Sequence, residues 1–519
     1  MPWAFYFDFL SIKFGFPVEG TAHIRGSFET SLDTVRMDMA DQLNLLCDEQ
    51  VQQFIVNGYI NVRADYPEPF HQEVYQQIET VFEEEGNLGN NILPRIPQIG
   101  QVYEHPNVKG ALTSLLGPGY IMNPHRHCHL NPPGRKGQSW HKDCYVYDHN
   151  VRHPRFYWVL GFYYPQDTTE HMGATGILPG KHMYKQISNP VPSKTEETEL
   201  KLCGPAGTVA LVHFDVWHRA TENVSDKNRY MLKFQFARGQ EPLEPAWDHH
   251  RRVWAPGIDD AHSEISQDVW HWMCGEKGGS VKAGDDAQVV ELMSQFSDGS
   301  ETGRLKNAYQ LAELGLPAVS ALVAAMREET LATLDETEAK TADNAHGTNP
   351  TIGIAAHALS VMGEVAVPAL ADVLNDEHWW VRAVAANVLG RMGKDALGAE
   401  AALLGAVGDD HWWVRRNAIE ALGMIGVASD TFIDALGLAV GDEDYRVRRN
   451  AALALRKVGS AGASAIPGLI PMLEDENRYN RFYATLALRG IGTPEAQEVL
   501  LDQLFVSRWC PITTKDNTF

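Results

Sequence analysis

His141, Asp143 and His218 are the residues of this 519-residue chain whose types and spacing point most directly to chemistry. The first two stand two apart in Trp140-His141-Lys142-Asp143, and His218 follows Asp143 by 75 positions in Val216-Trp217-His218-Arg219. Side chains two apart on an extended segment share one face. Two imidazoles and one carboxylate can occupy one face of an octahedral metal and leave the opposite face open, an arrangement suited to non-haem Fe(II). An HxD pair alone is commonplace in exposed loops, so the weight lies in its surroundings. His218 follows the strand-like run Gly207 to His213, which would set it at a sheet edge beside the first pair. Arg229 comes eleven residues later, at the head of an alternating segment. There Arg229, Met231, Lys233 and Gln235 share one face and Tyr230, Leu232, Phe234 and Phe236 the other. The apolar face would pack on helices and the polar face would line a cavity.

The elements that must position these residues occupy 39–240. Helical patterns fall near 48–56 and 69–85, and strand-like alternation covers Tyr120 to His129, Phe156 to Tyr164, Thr208 to His213 and Tyr230 to Phe236. Strands joined by long loops, with helices gathered at the start, predict a double-sheet jelly roll (a double-stranded β-helix, cupin-like) buttressed by helices. Residues 1–38 look unlike this domain and are read as an extension, the natural start being expected at Met37 or Met39. Residues 241–288, broken by Pro242, Pro245 and Pro256, form a connection containing one helix, Ser263 to Trp272, and a flexible join, Gly275 to Gly284.

From 289 to 510 the texture is that of Ala/Leu-rich helices with a repeat, and a tail occupies 511–519. Gly393, Gly426, Gly459 and Gly492 are spaced by thirty-three residues. So are Asp376, Asp409, Asp442 and Asp475, and Arg382, Arg415, Arg448 and Arg481. Each unit reads as helix, acidic turn, second helix opening near the Arg, and a Gly stop. The recurring Asp and Arg are expected to form a stacking ladder between neighbouring units. Two weaker units end at Gly315 and Gly363, and Glu328 to Pro350, rich in Thr, Glu, Asp and Asn, is expected as a solvated loop. In Trp379-Trp380 and Trp412-Trp413 one Trp of each pair fits the repeat core. The second, Trp380 and Trp413, aligns with Arg446 and is expected on an exposed recognition surface. These units resemble HEAT repeats, particularly the short type also found in phycobilin lyases.

The first half resembles the phytanoyl-CoA dioxygenase family of Fe(II)/2-oxoglutarate oxygenases. Four elements match in order over roughly 45–240: an opening helix with Phe54 to Val62 that includes Gly58-Tyr59; Trp140-His141-Lys142-Asp143; Gly173 to His182, a Gly-rich stretch ending in Pro179-Gly180-Lys181-His182; and Trp217 to Asn223 with Ser225 and Arg229. The resemblance implies that His141, Asp143 and His218 bind Fe(II). It implies that Arg229 pairs with the distal carboxylate of 2-oxoglutarate, a task for which a planar guanidinium fork is suited. Either Asn131 or His129 would contact the cosubstrate. Ala220 stands where the family often has Ser or Thr, so Thr221 or another group must serve there, and Lys142 stands in place of the common Gln. The implied reaction consumes O2, converts 2-oxoglutarate to succinate and CO2, and hydroxylates a substrate C–H bond. Halogenases of this type carry a small residue in place of Asp143, so its presence implies hydroxylation. His125, His127 and His129 would face one way on a strand, and are read as polar cavity and surface residues rather than a second metal site. Tyr145 and Tyr147 are candidate pocket walls or core aromatics, and His182 is assigned to a structural turn.

A formal charge of −23 argues against nucleic-acid and anionic-membrane partners. Six scattered cysteines (47, 128, 144, 203, 274, 510) with no CxxC pair suit a reducing, cytoplasmic setting, and no stretch reaches the length of a membrane span. The primary function expected is a hydroxylase acting on a small-molecule or protein-borne substrate, with the repeats recruiting a substrate or protein partner. A rival is an inactive oxygenase fold serving as a repeat scaffold, which the intact His141, Asp143, His218 and Arg229 disfavour. A chromophore lyase is suggested by the repeats alone.

Overall fold

The computed structural model describes residues 43–143, 153–185, 198–251, 253–276, 285–296, 300–341 and 353–506. The expectations for the N-terminal extension, for Tyr145 and Tyr147, and for the tail lie outside them. Among the described residues, eight strands, all antiparallel, make two sheets: β1 (Tyr59–Arg63), β2 (Ile121–Asn131), β3 (Trp158–Tyr163), β4 (Thr175–Ile177), β5 (Leu200–Leu202), β6 (Thr208–His213), β7 (His218–Ala220) and β8 (Arg229–Ala237). The larger sheet runs β1-β6-β3-β8-β2 and the smaller β5-β4-β7. The jelly roll is thus a pair of facing antiparallel sheets, and a helical half succeeds it.

Register decides which side chains meet. Between β2 and β8, Asn131 opposes Arg229, His129 opposes Met231 and His127 opposes Lys233. The ladder slips between Met122 and Arg126, where Pro124 has no N–H to donate. On the other face of β8, Tyr230, Leu232, Phe234 and Phe236 join one core with Val102, Tyr103 and Leu112. These belong to the helices Gln98–Glu104 and Pro106–Leu116. Tyr103 lies 4.5 Å from Phe234 between ring centroids. Full burial of each such aromatic contributes about 1.5–3 kcal/mol, so this face pins the strand and fixes which way Arg229 and Lys233 point.

The opening helix, α1 (Asp48–Asn57), stops earlier than the Phe54 to Val62 expectation. Gly58 takes a left-handed φ of 76° as its C-cap, and Tyr59 then begins edge strand β1, paired with β6. A Cβ at position 58 would sit 2.6 Å from His182 Nδ1, so glycine is required by packing as well as by conformation.

In the helical half, each repeat's long helix packs on the next: α2 (Trp379–Arg391), α3 (Trp412–Ile425), α4 (Tyr445–Val458) and α5 (Arg478–Ile491). The Asp–Arg ladder is an inter-repeat one. Arg382 pairs with Asp409 at 2.7 Å, Arg415 with Asp442 at 2.9 Å and Arg448 with Asp475 at 2.7 Å, and Arg327 opens the series on Asp376 at 2.7 Å. Two expectations are corrected here. Residues 328–341 are helical, in Leu316–Ala332 and Leu334–Thr341. Their polar composition conceals a buried face of Met326, Thr330 and Thr337. The tryptophan assignment is inverted: Trp380 and Trp413 are 2% and 1% exposed. Each opens the inward face of its helix, as in Trp380, Val384 and Val388, whereas Trp379 and Trp412, one step of 100° away, are half-buried at the surface. Trp379 stacks on His411 at 3.8 Å, and the Arg446 guanidinium lies 3.4 Å from the Trp412 ring centre.

The described residues from 44 onward form one compact unit. Leu453, Phe482 and Leu486 of α4 and α5 pack against the jelly-roll cluster of Ile121, Trp158 and Ala237. Arg155 and Arg391 exchange side-chain-to-carbonyl bonds at 3.2 and 3.3 Å, and His125 Nδ1 meets the Tyr479 hydroxyl at 2.7 Å.

Candidate metal centre

After β6 the chain crosses from the larger sheet to the smaller and re-enters pairing at His218, the first residue of β7, opposite Ile177. His141 adds itself to the outside of β7 by an isolated antiparallel bridge. The His141 N–H donates to the His218 carbonyl at 3.1 Å, and the His218 N–H to the His141 carbonyl at 3.0 Å. The two histidines are therefore locked side by side by backbone pairing, with ring centroids 4.4 Å apart. Asp143 completes the group. One potential ligand atom from each of His141, Asp143 and His218 lies within 4.8 Å of the other two, and no other group of three or more His, Cys, Asp or Glu residues among the described residues is so placed. His125, His127 and His129 do not form a second one. His125 is engaged with Tyr479, and His127 Nε2 is 3.3 Å from Asn87 Nδ2.

Each of the three side chains is held on the side away from the centre. His141 Nδ1–H donates to the Ser139 carbonyl at 3.0 Å, and His218 Nδ1–H to the Val216 carbonyl at 3.1 Å. The Nδ1 of each ring is thereby occupied, which leaves Nε2 as the atom available to a metal. Asp143 Oδ2 accepts from the Lys233 ammonium at 2.7 Å, while Oδ1 lies 3.7 Å from His218 Nε2. Burial works to raise the Asp143 carboxyl, but the Lys233 ammonium and the His218 imidazole overcome it and hold the group well below the usual carboxylate range. Burial pushes His218 down to about 4. Near neutral pH the centre offers an anionic carboxylate and a His218 lone pair, the protonation states a divalent metal needs. The donor set, two nitrogens and one oxygen with room for further ligands, fits Fe(II).

Lys233 carries a role that motif matching does not reveal. It lies on the polar face of β8 predicted by alternation, and that was the one signal the sequence held. Lys142 is a second such residue. Its ammonium is 2.5 Å from Asp215 and 3.2 Å from the His182 carbonyl, a buried tie between the segments that bear His141 and His218.

Arg229 is 1% exposed at the head of β8. Its Nε and Nη2 both donate to the Gly173 carbonyl, at 3.1 and 2.7 Å, leaving the end-on Nη1/Nη2 edge for a carboxylate. The same carbonyl accepts from Asn131 Nδ2, which also donates to the Thr221 carbonyl. Asn131 Oδ1 and His129 Nε2 are buried without hydrogen-bond partners, and burial lowers His129 to about 2. A polar atom so placed calls for a ligand or water. Thr221 sits differently from the expectation. Its hydroxyl proton goes to the Ala174 carbonyl at 2.6 Å, which leaves it no proton for a cosubstrate carboxylate. His182 is buried against His213 at 4.8 Å, away from the three candidate ligands.

His141 also lines a cavity of ≈ 650 Å³ whose opposite wall is helical, with Arg304, Leu305, Glu329 and His357 among its residues.

No curated protein matches the chain. Among solved structures, similarity extends to the non-haem α-ketoglutarate-dependent carbocyclase SnoK from nogalamycin biosynthesis. It is 18% identical with a TM-score of 0.33, over 38% of this chain and 85% of that one. A second is HygX from Streptomyces hygroscopicus with nickel and 2-oxoglutarate bound, at 10% identity and a TM-score of 0.31, over 37% and 87%. A third is the non-haem monooxygenase ThoJ in a nickel complex, at 15% identity and 0.30, over 40% and 91%. The sequence itself matches two families, HEAT repeats at 367–438 and 433–505 and phytanoyl-CoA dioxygenase (PhyH) at 30–231, the latter beginning ahead of the boundary expected at 39. The domain that carries His141, Asp143, His218 and Arg229 is accordingly a phytanoyl-CoA dioxygenase family domain, joined in the same chain to HEAT repeats.

Proposed function

We propose that the chain is an Fe(II)- and 2-oxoglutarate-dependent dioxygenase that hydroxylates a C–H bond of an organic substrate. The observation that carries this is the convergence of His141, Asp143 and His218 with each side chain already fixed from behind. His141 Nε2, His218 Nε2 and Asp143 Oδ1 would hold the iron, which with 2-oxoglutarate and O2 supplies oxidative decarboxylation to succinate and CO2 and oxygen insertion into a C–H bond.

The protein's own residues do the rest. Arg229 would orient the distal carboxylate of 2-oxoglutarate through its free edge, with His129 and Asn131 beside it on β2. Lys233 keeps Asp143 anionic and engages Oδ2, so that Oδ1 would be the oxygen offered to the metal. The carboxylate of Asp143 occupies the place a halide would need, which favours hydroxylation.

Anaerobic titration of the full chain with Fe(II) and 2-oxoglutarate tests the reading through the metal-to-ligand absorption band. The band is expected in the wild type and absent in His218→Ala. No band, or one that survives H218A unchanged, returns the chain to the scaffold reading.

A further inference from the structure

The cavity on which His141 opens is shared between the two halves of the molecule. From the jelly roll come His141, His213 and Trp217; from the helical half come Arg304, Glu329 and His357. At ≈ 650 Å³ it has the size of a small-molecule site. Two of its donors have nothing to bond. His213 is 3% exposed, and its Nδ1 accepts the Asp215 N–H at 3.0 Å. That fixes the proton on Nε2, where it is buried without a partner. Across the cavity, Arg304 stands in the first turn of the helix Glu301–Glu313. Its Nε is buried without an acceptor, and Glu329 acts on it through charge with no hydrogen bond between them among the described residues.

The acids nearby are already engaged. Glu329 accepts the Ala355 N–H at 3.0 Å and Glu301 the Lys185 N–H, while Asp215 is paired with Lys142. The cavity wall therefore carries a guanidinium whose Nε no acceptor meets, although Glu329 acts on it through charge, and one imidazole N–H without an acceptor. A buried donor left unmet is costly, and a charged acceptor satisfies it best.

We propose that this cavity is the substrate site and that its substrate is a small organic anion. Arg304, from the helical half, binds the carboxylate or phosphate, and His213 Nε2–H bonds an acceptor of the same molecule. The helices before the periodic repeats then form a wall of the active site and determine its specificity. This rests on the oxygenase reading only in identifying the cavity as the substrate site; the binding of an anion by Arg304 does not require it.

The full chain, loaded with Ni(II) and 2-oxoglutarate so that Arg229 is occupied, is titrated calorimetrically with benzoate, phenyl phosphate and the neutral benzamide. At least one anion is expected to bind ten-fold or more tighter than benzamide, and the better of the two names the headgroup. R304Q should weaken that anion at least ten-fold, with 2-oxoglutarate affinity and thermal midpoint unchanged. R304K, which keeps the charge but not the fork, should lie between. Equal binding of benzamide, no anion binding at millimolar concentration, or anion binding indifferent to both Arg304 variants overturns the proposal. Failure of Ni(II) and 2-oxoglutarate to bind counts against the oxygenase reading instead, and the same anion series on the metal-free R229Q chain still reports on Arg304.

Discussion

At the scale of single residues, the candidate centre depends as much on what stands behind the candidate ligands as on those residues themselves. Lys233 neutralises Asp143 inside a site where both are almost fully buried, at side-chain exposures of 4% and 1%. Removing it would leave a buried carboxylate to be met by the metal alone. Its protonation, or rotation of its second oxygen, would then compete with metal binding. Outer partners of this kind are worth 10–100-fold in metal affinity. Lys233→Met is therefore predicted to weaken Fe(II) or Ni(II) binding by about 10–100-fold while leaving the fold intact. A metal titration alongside circular dichroism checks this, and an unchanged affinity would make the pair merely structural. The sequence displayed His141, Asp143, His218 and Arg229 openly because their types and spacing are chemically specific. It also placed Lys233 on the right face of its strand. What it could not show was the contact, since an alternating strand says which way a side chain points and nothing about what waits there. Thr221 shows the same limit from the other side. Its position suited a cosubstrate contact, and only the three-dimensional course of the chain leading into β4 reveals that Ala174 accepts its proton.

At the scale of elements, the repeat is where reading was easiest, because an identical interaction recurs at every step. The bidentate Arg382–Asp409 pair, at 2.7 and 2.9 Å, ties one repeat to the next. Asp409 also accepts the His411 N–H at 2.8 Å, capping the turn. Asp409→Asn should cost about 1–3 kcal/mol, measured as a lower denaturation midpoint. Acid should do likewise. Burial pushes the Asp409 carboxyl upward, but Arg382 and the His411 N–H outweigh it and hold it below the ordinary value, and Asp376 and Asp475 are lowered in the same way by their own partners. A carboxylate with a depressed folded-state pKa contributes stability above its unfolded value near 4 and loses it as pH falls through the folded value. Thermal midpoints should thus hold from neutrality to about pH 5 and then fall. D409N should show a shallower fall, and parallel acid profiles would remove the ladder from the account. The strands were less evenly legible. β6 and β8 are long enough for alternation to register, whereas β4, β5 and β7 have three residues each and no period to detect. The inverted tryptophans have a similar cause, since adjacent aromatics in a helix differ by 100° and composition does not say which one faces inward.

At the scale of the whole molecule, the two halves are joined too intimately to behave as independent modules, and nothing in either sequence pattern announced it. Complementarity between a sheet edge and a helix stack has no periodicity. Its signs are single residues far apart in the chain. Arg155 holds Asp268 through two bonds at 2.6 and 2.9 Å and exchanges carbonyl bonds with Arg391. Arg391 in turn lies over the Tyr157 ring at 4.5 Å, and Arg456 donates to the Gly119 carbonyl at 2.7 Å. Around them the apolar Leu453, Phe482 and Leu486 close on the jelly-roll core. Separating the halves would expose that surface and strand buried guanidinium groups, so neither half gains by unfolding alone. Calorimetry should accordingly show the jelly roll and the repeats melting in one transition. Arg391→Ala, which empties the junction without touching the metal centre, should destabilise both together by about 2–3 kcal/mol. The discriminating measurement follows near-ultraviolet signals from the jelly-roll and repeat tryptophans through the same melt. If the two sets part by more than a few degrees in the wild type, the halves are coupled only loosely, and the wall that Arg304 supplies to the cavity would be a movable one.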